Sequence, residues 1–470
     1  MLLLGAAFAP ASHAAADASP SAAARVKARP ALFPQFDPSV RNYVTRCMAG
    51  ERLRLSIDGR SARLRIKTGQ STSFVLRSGH ARRRYFVRCL PRDFPSWSAQ
   101  RPGRPQAQWY VVAPCCTTTK YVAIFDTHGV PVWWIHTPRL PADASLLPDG
   151  NLVWTQPHGK DLAPGVSQGT YEEHSLDGKL RRTFPLPDGT PTDQHELQVL
   201  PNGDYVVVAY VPRDGVDLSP YGGPSDATVL DAHVEEVTPA HRVAWSWNSA
   251  DHIDVAETSR WYESLVIPKP VPLPDGRTAY DIVHINAVDP YGPQRFLVSL
   301  RHTDAVYAVD RASGDVLWKL GGTQTPRSLR IAGDSVTDLG GQHDVRSLHD
   351  GTITVHDNGT GRGRPPRVLR FRIDAQAGTA TLVEKVEDGV RARSPCCGSA
   401  RKLPGGNWVL SWGGTHLIEE TTAAGKPVFT LRFPLHISYR AFPVLPGRLT
   451  YRALRRGMDA MYRRPIGGAK

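Results

Sequence analysis

Long apolar stretches are missing from this 470-residue chain: nothing beyond its first residues approaches the roughly 20 apolar positions a membrane-spanning helix requires, so no membrane span is expected. A Gly-x-x-x-x-Gly-Lys-Ser/Thr phosphate loop is absent, which removes the commonest backbone cradle for a nucleotide. The six cysteines include no Cys-x-x-Cys spacing to argue for a zinc site. Helical periodicity does not interleave with the strand-like segments, which counts against a parallel α/β fold. The net charge is +13, yet the basic residues are scattered and no run resembles a nucleic-acid module. No nucleic-acid partner is expected; the positive field would instead draw small anions toward a cleft.

What is present begins with an apolar run at residues 1–15 ending in small residues around Ser12-His13-Ala14, which reads as a signal peptide. Residues 16–35, rich in Ala, Ser and Pro, read as a linker. An even cysteine count in an exported chain suggests disulfides. The simplest pairing joins Cys47 to Cys89 within residues 36–110, where short alternating segments such as RLRLSIDG suggest a small β-sandwich. Two vicinal pairs, Cys115-Cys116 and Cys396-Cys397, each follow a proline, and their connectivity stays open.

Internal repeats decide the rest. A hairpin signal recurs at Leu147-Pro148-Asp149-Gly150, Leu200-Pro201-Asn202-Gly203 and Leu403-Pro404-Gly405-Gly406, with variants at Asp289-Pro290-Tyr291-Gly292, Leu348-His349-Asp350-Gly351 and Leu445-Pro446-Gly447. A second kind alternates with it at 121–134, 171–184, 234–247, 306–320, 369–386 and 418–433. Six of each kind predict an all-β fold: a six-bladed β-propeller over 111–453, following the small N-terminal β-sandwich domain. The last inner hairpin, 439–453, is expected to complete the first blade and so remove an open sheet edge. Residues 454–470 read as a basic C-terminal tail, with 451–464 open to a helical reading.

Counting eight residues back from the turn glycines reaches His195, His284 and His343 in three repeats, and Ala142, Gly398 and Tyr439 in the others. Equal register means equal depth along a channel, so the three imidazoles should face one another near one mouth. A lone histidine is ordinarily structural, but coincident register in three repeats reverses that preference. Asn286 shares the strand face of His284. Folding each hairpin about its turn sets Arg301 beside His284 and Asn358 beside His343. A guanidinium with several imidazoles suits a tetrahedral oxyanion.

These residues carry a resemblance to the bacterial aryl sulfotransferases. It rests on Asp193-Gln194-His195-Glu196-Leu197, on His284-Ile285-Asn286 followed by Arg301, on Gly341-Gln342-His343-Asp344 and on Asp357-Asn358-Gly359, across about residues 105–453. The resemblance implies a six-bladed propeller, secreted or extracytoplasmic, that moves a sulfuryl group from an aryl sulfate to a phenol with no nucleotide donor and no cofactor. It also implies that His343 is the nucleophile that becomes sulfated, while His195, His284, Asn286 and Arg301 hold the transferring group. Asn358 and Tyr439 are expected to contact substrate.

Three rivals are weaker. Residues 306–322 (VYAVDRASGDVLWKLGG) resemble the tryptophan-docking repeat of quinone-dependent propeller dehydrogenases, but in one repeat only. Zinc on three histidines would meet repulsion from Arg301. A non-catalytic binding propeller should present aromatic residues at the histidine register, where Tyr439 stands alone.

Overall fold

Runs of Val, Ile and Leu on consecutive positions, as in YVVVAYV at 205–211, are the pattern of strands buried on both faces. A computed structural model describes residues 26–47, 52–78, 81–115, 120–157, 168–335, 337–387 and 393–463. The structure is mostly β, and it divides into two compact units, residues 1–89 and 90–470. The expected signal peptide and Cys116 lie outside the described residues.

In the first unit a three-stranded sheet (Val26–Arg29, Arg52–Ile57, Arg60–Arg65) and a four-stranded sheet (Leu32–Phe33, Asn42–Arg46, Ala81–Leu90, Ser71–Ser78) share one apolar cluster around Tyr43, Leu53, Leu55 and Val87. Cys47 and Cys89 sit in that cluster and are joined by a disulfide, as expected. Part of the expected linker is structured: Val26–Arg29 and Leu32–Phe33 are strands, because Val26, Ala28 and Leu32 have apolar partners in the cluster.

Among the described residues the second unit contains six sheets, each built on four antiparallel strands. All six expected outer hairpins form the outer halves of these sheets. The first sheet combines both ends of the unit, since Ile437–Val444 pairs with Trp109–Cys115 ahead of Tyr121–Asp126. The hairpin expected at Leu445-Pro446-Gly447 does not form. Trp109–Cys115 already occupies the pairing edge of Ile437–Val444, and the chain turns instead into the helix Tyr451–Arg463.

The leading strands of the sheets lie against one another in turn: Ile285–Pro290 meets His343–Ser347, which meets Ser399–Lys402, which meets Ile437–Val444, which meets Ala142–Leu146. Apolar clusters fill the spaces between adjacent sheets. Val153 packs with Val207, Val208 with Val298, Leu297 with Ile353, and Val368 with Trp408. Burial of both faces explains why these strands lack the polar alternation of a one-sided sheet. No helix among the described residues is long and apolar enough to cross a membrane.

Candidate active site

Four leading strands carry a register shift at the same depth, at Ala142/Ser145, Ile285/Ala287, His343/Arg346 and Ser438/Ala441. Such bulges re-aim side chains. Asp143, His284 and Asp344 adopt positive φ beside them, at 47°, 50° and 54°, a left-handed conformation costly for any residue with a Cβ. At His284 one side chain holds this geometry. Asp281 accepts from the His284 backbone N–H at 3.0 Å and from its Nδ1 at 2.5 Å. Asp193 does the same for His195, accepting from the backbone N–H at 3.0 Å and from Nδ1.

The three imidazoles come together as expected. Ring centroids are 5.0 Å apart for His195 and His284 and 6.1 Å for His195 and His343. Tyr439 completes the group, 5.6 Å from His195 and 5.2 Å from His343, with its hydroxyl 3.4 Å from His343 Nε2. His343 Nδ1 donates to the Gly398 carbonyl at 3.1 Å, which leaves the Nε2 lone pair free of a proton. Burial, reinforced by the charge of Arg440 and the neighbouring imidazoles, holds His343 well below the usual histidine range. Burial also lowers His284, against the pull of Asp281. Asp281 stays ionised at about 2, because His284 and His302 outweigh its own burial.

Arg301 lies beside His284, its backbone N–H donating to the His284 carbonyl at 2.9 Å. Its guanidinium is buried. Nη1 donates to His302 Nε2 at 2.9 Å, Nη2 donates to the Pro395 carbonyl at 2.8 Å, and the plane lies over Trp261 at 4.3 Å. Arg301 Nε and Asn286 Oδ1 are buried without a hydrogen-bond partner among the described residues. Each such group costs about 1–3 kcal/mol unless a ligand meets it. Asn286 Nδ2 donates to the Gln342 carbonyl at 2.7 Å, directly before His343.

Asn358 is displaced from its expected place. The bulge pairs His343 with His356, and Asn358 lies two residues further on, donating to the carbonyls of Gly341 at 3.0 Å and Cys397 at 2.9 Å. It braces the strand that carries His343.

Several partners were not legible as site residues. His302 links Arg301 to Asp281, its Nδ1 donating to the Asp281 carbonyl at 2.7 Å. The available signal was an acid two or three residues ahead of a register histidine, the spacing of an Asx turn. A layer of charges one position past the register was also missed. Asp143, Glu196, Asp344 and Arg440 occupy that position, and Arg346 and Arg401 join them. The same glycine alignment, read one residue on, would have found the first four.

Asp281, His284 and His302 offer ligand atoms within 4.8 Å of one another. Both nitrogens of His302 and Nδ1 of His284 are already bonded to Arg301 or Asp281, and a guanidinium 2.9 Å from one ligand atom opposes a divalent cation.

Among solved structures, a protein of unknown function from Bacteroides caccae aligns at 12% identity and TM-score 0.44, covering 72% of this chain and 99% of that one. Virginiamycin B lyase from Staphylococcus aureus aligns at 10% identity and TM-score 0.35, covering 72% and 89%. The β-propeller domain of Cps50 (Swd1) from Myceliophteria thermophila aligns at 11% and 0.35, again covering 72% and 89%. No curated protein matches. The model of the arylsulfotransferase (ASST) family matches residues 172–434, more than half of the chain and the span that contains His195, His284, Asn286, Arg301, His343 and Asn358. The chain therefore belongs to the arylsulfotransferase family, whose reaction is sulfuryl transfer.

Proposed function

We propose that this protein is an extracytoplasmic arylsulfotransferase that carries a sulfuryl group from an aryl sulfate to a phenol through a sulfated His343, with neither a nucleotide donor nor a cofactor. One observation carries the reading: the partner of Nδ1 differs among the three histidines. His195 and His284 have carboxylates behind them, whereas His343 has the neutral carbonyl of Gly398. A carboxylate supports an imidazolium once an anion arrives; a carbonyl keeps the ring neutral with Nε2 ready to attack.

In the first displacement the N–S bond forms at His343 Nε2 as the S–O bond to the aryl group breaks. The leaving oxygen takes a proton from His284, which gains that proton when the anionic donor binds. In the second, an acceptor phenol gives its proton to that imidazole and its oxygen displaces Nε2 from sulfur. Arg301 and Asn286 hold the sulfuryl oxygens, where preorganised donors contribute most to rate. Asn358 and Tyr439 border the substrate. The sheets are read as a six-bladed propeller over 111–453, with a small β-sandwich ahead of it and a basic tail after it. Pairing of Ile437–Val444 with Trp109–Cys115 supports ring closure. The Cys47–Cys89 disulfide supports an oxidising compartment.

Incubation with a chromogenic aryl sulfate and a phenol tests the reading. Transfer should follow ping-pong kinetics, and protein quenched with donor alone should carry one sulfuryl group on the peptide containing His343. An adduct on His195 or His284 would overturn the assignment of roles.

A further inference from the structure

Residues 26–89 hold 15 lysines and arginines against 3 acids, a net +12 of the chain's +13. The excess charge therefore lies in the first unit, which contains none of the histidines of the site. Strand alternation decides where it points. In the three-stranded sheet Val26, Ala28, Leu53, Leu55 and Leu64 turn toward the shared apolar cluster, and the residues between them, Lys27, Arg29, Arg52, Arg54 and Arg63, are exposed on the other face. The register sets Arg29 opposite Arg54 and Arg54 opposite Arg63, so three neighbouring strands each place one arginine in a row. In the four-stranded sheet Phe74, Tyr85 and Val87 face the cluster, while Arg77, paired with Arg82, and Arg84 are exposed. None of these basic side chains has a carboxylate partner among the described residues. Side chains directly opposed on neighbouring strands lie about 5 Å apart, and like charges so placed oppose folding. The inward residues of the same strands hold the sheets together, and the outward arginines add nothing to that core.

We propose that the two outward faces of the first unit bind a linear phosphate polymer that carries no bases. All but one of the exposed cations named are arginine, whose guanidinium fork meets two oxygens of one phosphate where a compact ammonium meets one. Rows of cations about 5 Å apart call for anions of similar density, which a chain charged at every short repeat supplies. The two faces lie on the far sides of sheets that share one cluster, so a flat lipid surface meets only one of them, whereas a flexible chain follows both. No aromatic side chain among the described residues of the unit is exposed, which leaves nucleobases and sugar rings nothing to stack on. No large apolar side chain is exposed there for insertion among lipids either. Binding of this kind holds the protein on an anionic matrix and needs no step of the chemistry proposed for His343.

The test titrates the full chain with long-chain inorganic polyphosphate and reads the dissociation constant by calorimetry. Affinity should fall about 10²-fold between about 50 and 200 mM salt, the dependence of a contact that neutralises about five charges of a single chain. At the lower salt R29Q/R54Q/R63Q and R77Q/R82Q/R84Q should each weaken binding about tenfold or more, because each removes three of those contacts. R181Q/R242Q/R372Q, which changes three exposed arginines of the second unit, should leave it unchanged. All three variants should keep the wild-type unfolding midpoint, since only exposed side chains change, and lost binding is then not lost fold. The proposal is overturned if polyphosphate does not bind at the lower salt, or if the first-unit variants bind as well as R181Q/R242Q/R372Q. A loss confined to one of the two faces overturns the chain that follows both. Tighter binding, charge for charge, to phosphatidylglycerol vesicles, to single-stranded DNA or to a sulfated polysaccharide overturns the choice of partner. Aryl sulfate turnover is measured separately, so failure of sulfuryl transfer and failure of polyphosphate binding are told apart.

Discussion

A hydrogen bond to the Gly398 carbonyl separates His343 from two otherwise similar histidines, and this difference makes the roles testable. His343→Ala should abolish transfer, because a covalent carrier cannot be replaced. His195→Ala or Asn286→Ala should leave residual activity reduced about 10² to 10³-fold, the usual cost of one preorganised donor. Arg301→Ala should fall between these, since it removes a charge and a two-pronged donor together; initial rates with one donor–acceptor pair rank the four. The pH dependence follows from burial. An unperturbed imidazole is half protonated near pH 6.5, whereas His343 is held well below that value and His284 is also lowered. His343 stays unprotonated through pH 6.5, so its protonation should give no acid limb in kcat/KM there and should lower the rate only below that pH. A pH–rate profile with an acid limb at or above 6.5 would contradict this.

At the scale of elements, the helix Tyr451–Arg463 shows packing overruling propensity. Leu454 and Met458 are buried, Tyr451 donates to Asp126 at 2.8 Å, and Trp134 Nε1 donates to the Tyr462 hydroxyl at 2.8 Å. Gly457 faces the turn beyond the second sheet's third strand so closely that a Cβ there would lie 2.4 Å from the Leu176 carbonyl oxygen. Replacing a helical glycine by alanine ordinarily adds about 1 kcal/mol of stability. Here the clash is with backbone, and Gly457→Ala should instead cost about 1–3 kcal/mol, read as a lower denaturant midpoint. The outer hairpins were legible because two-residue turns and strand residues are local signals. The basic segment at the chain's end also reads as helical, but the loss of a hairpin at Leu445-Pro446-Gly447 was not legible, since it depends on which strand already occupies the neighbouring edge.

For the larger unit as a whole, the charge layer one position past the histidines ties several sheets together. Arg440, on the first sheet, donates to Asp143 at 2.8 Å, to Glu196 at 3.1 Å and to the Asn286 carbonyl at 2.7 Å, and pairs with Asp344 at 3.1 Å. These partners come from four other sheets or the segments leading into them. Burial would raise Asp344, but Arg401, Arg346 and Arg440 together hold it down to about 2, so it stays charged. Removing one member of such a buried network strands the others, at a cost of about 3–5 kcal/mol. Arg440→Met should lose that much in denaturant unfolding; a loss under about 1 kcal/mol would mean that the apolar clusters alone hold the sheets together.

The sequence by itself determined the six outer hairpins and five of the inner ones, the Cys47–Cys89 pairing, and the shared depth of His195, His284 and His343, because turn glycines and strand periodicity are local chemistry and counting preserves register. It also reached Arg301 beside His284. Only the tertiary structure decided the rest. Bulges at Ile285/Ala287 and His343/Arg346 set which residue faces which across each hairpin, so that His356 rather than Asn358 pairs with His343. The enclosure of His302, the contact of Pro395 with Arg301, and the convergence of Arg440 on four other sheets join residues tens to hundreds of positions apart. Those contacts depend on how one sheet's face packs against the next, a property that no local stretch of sequence encodes.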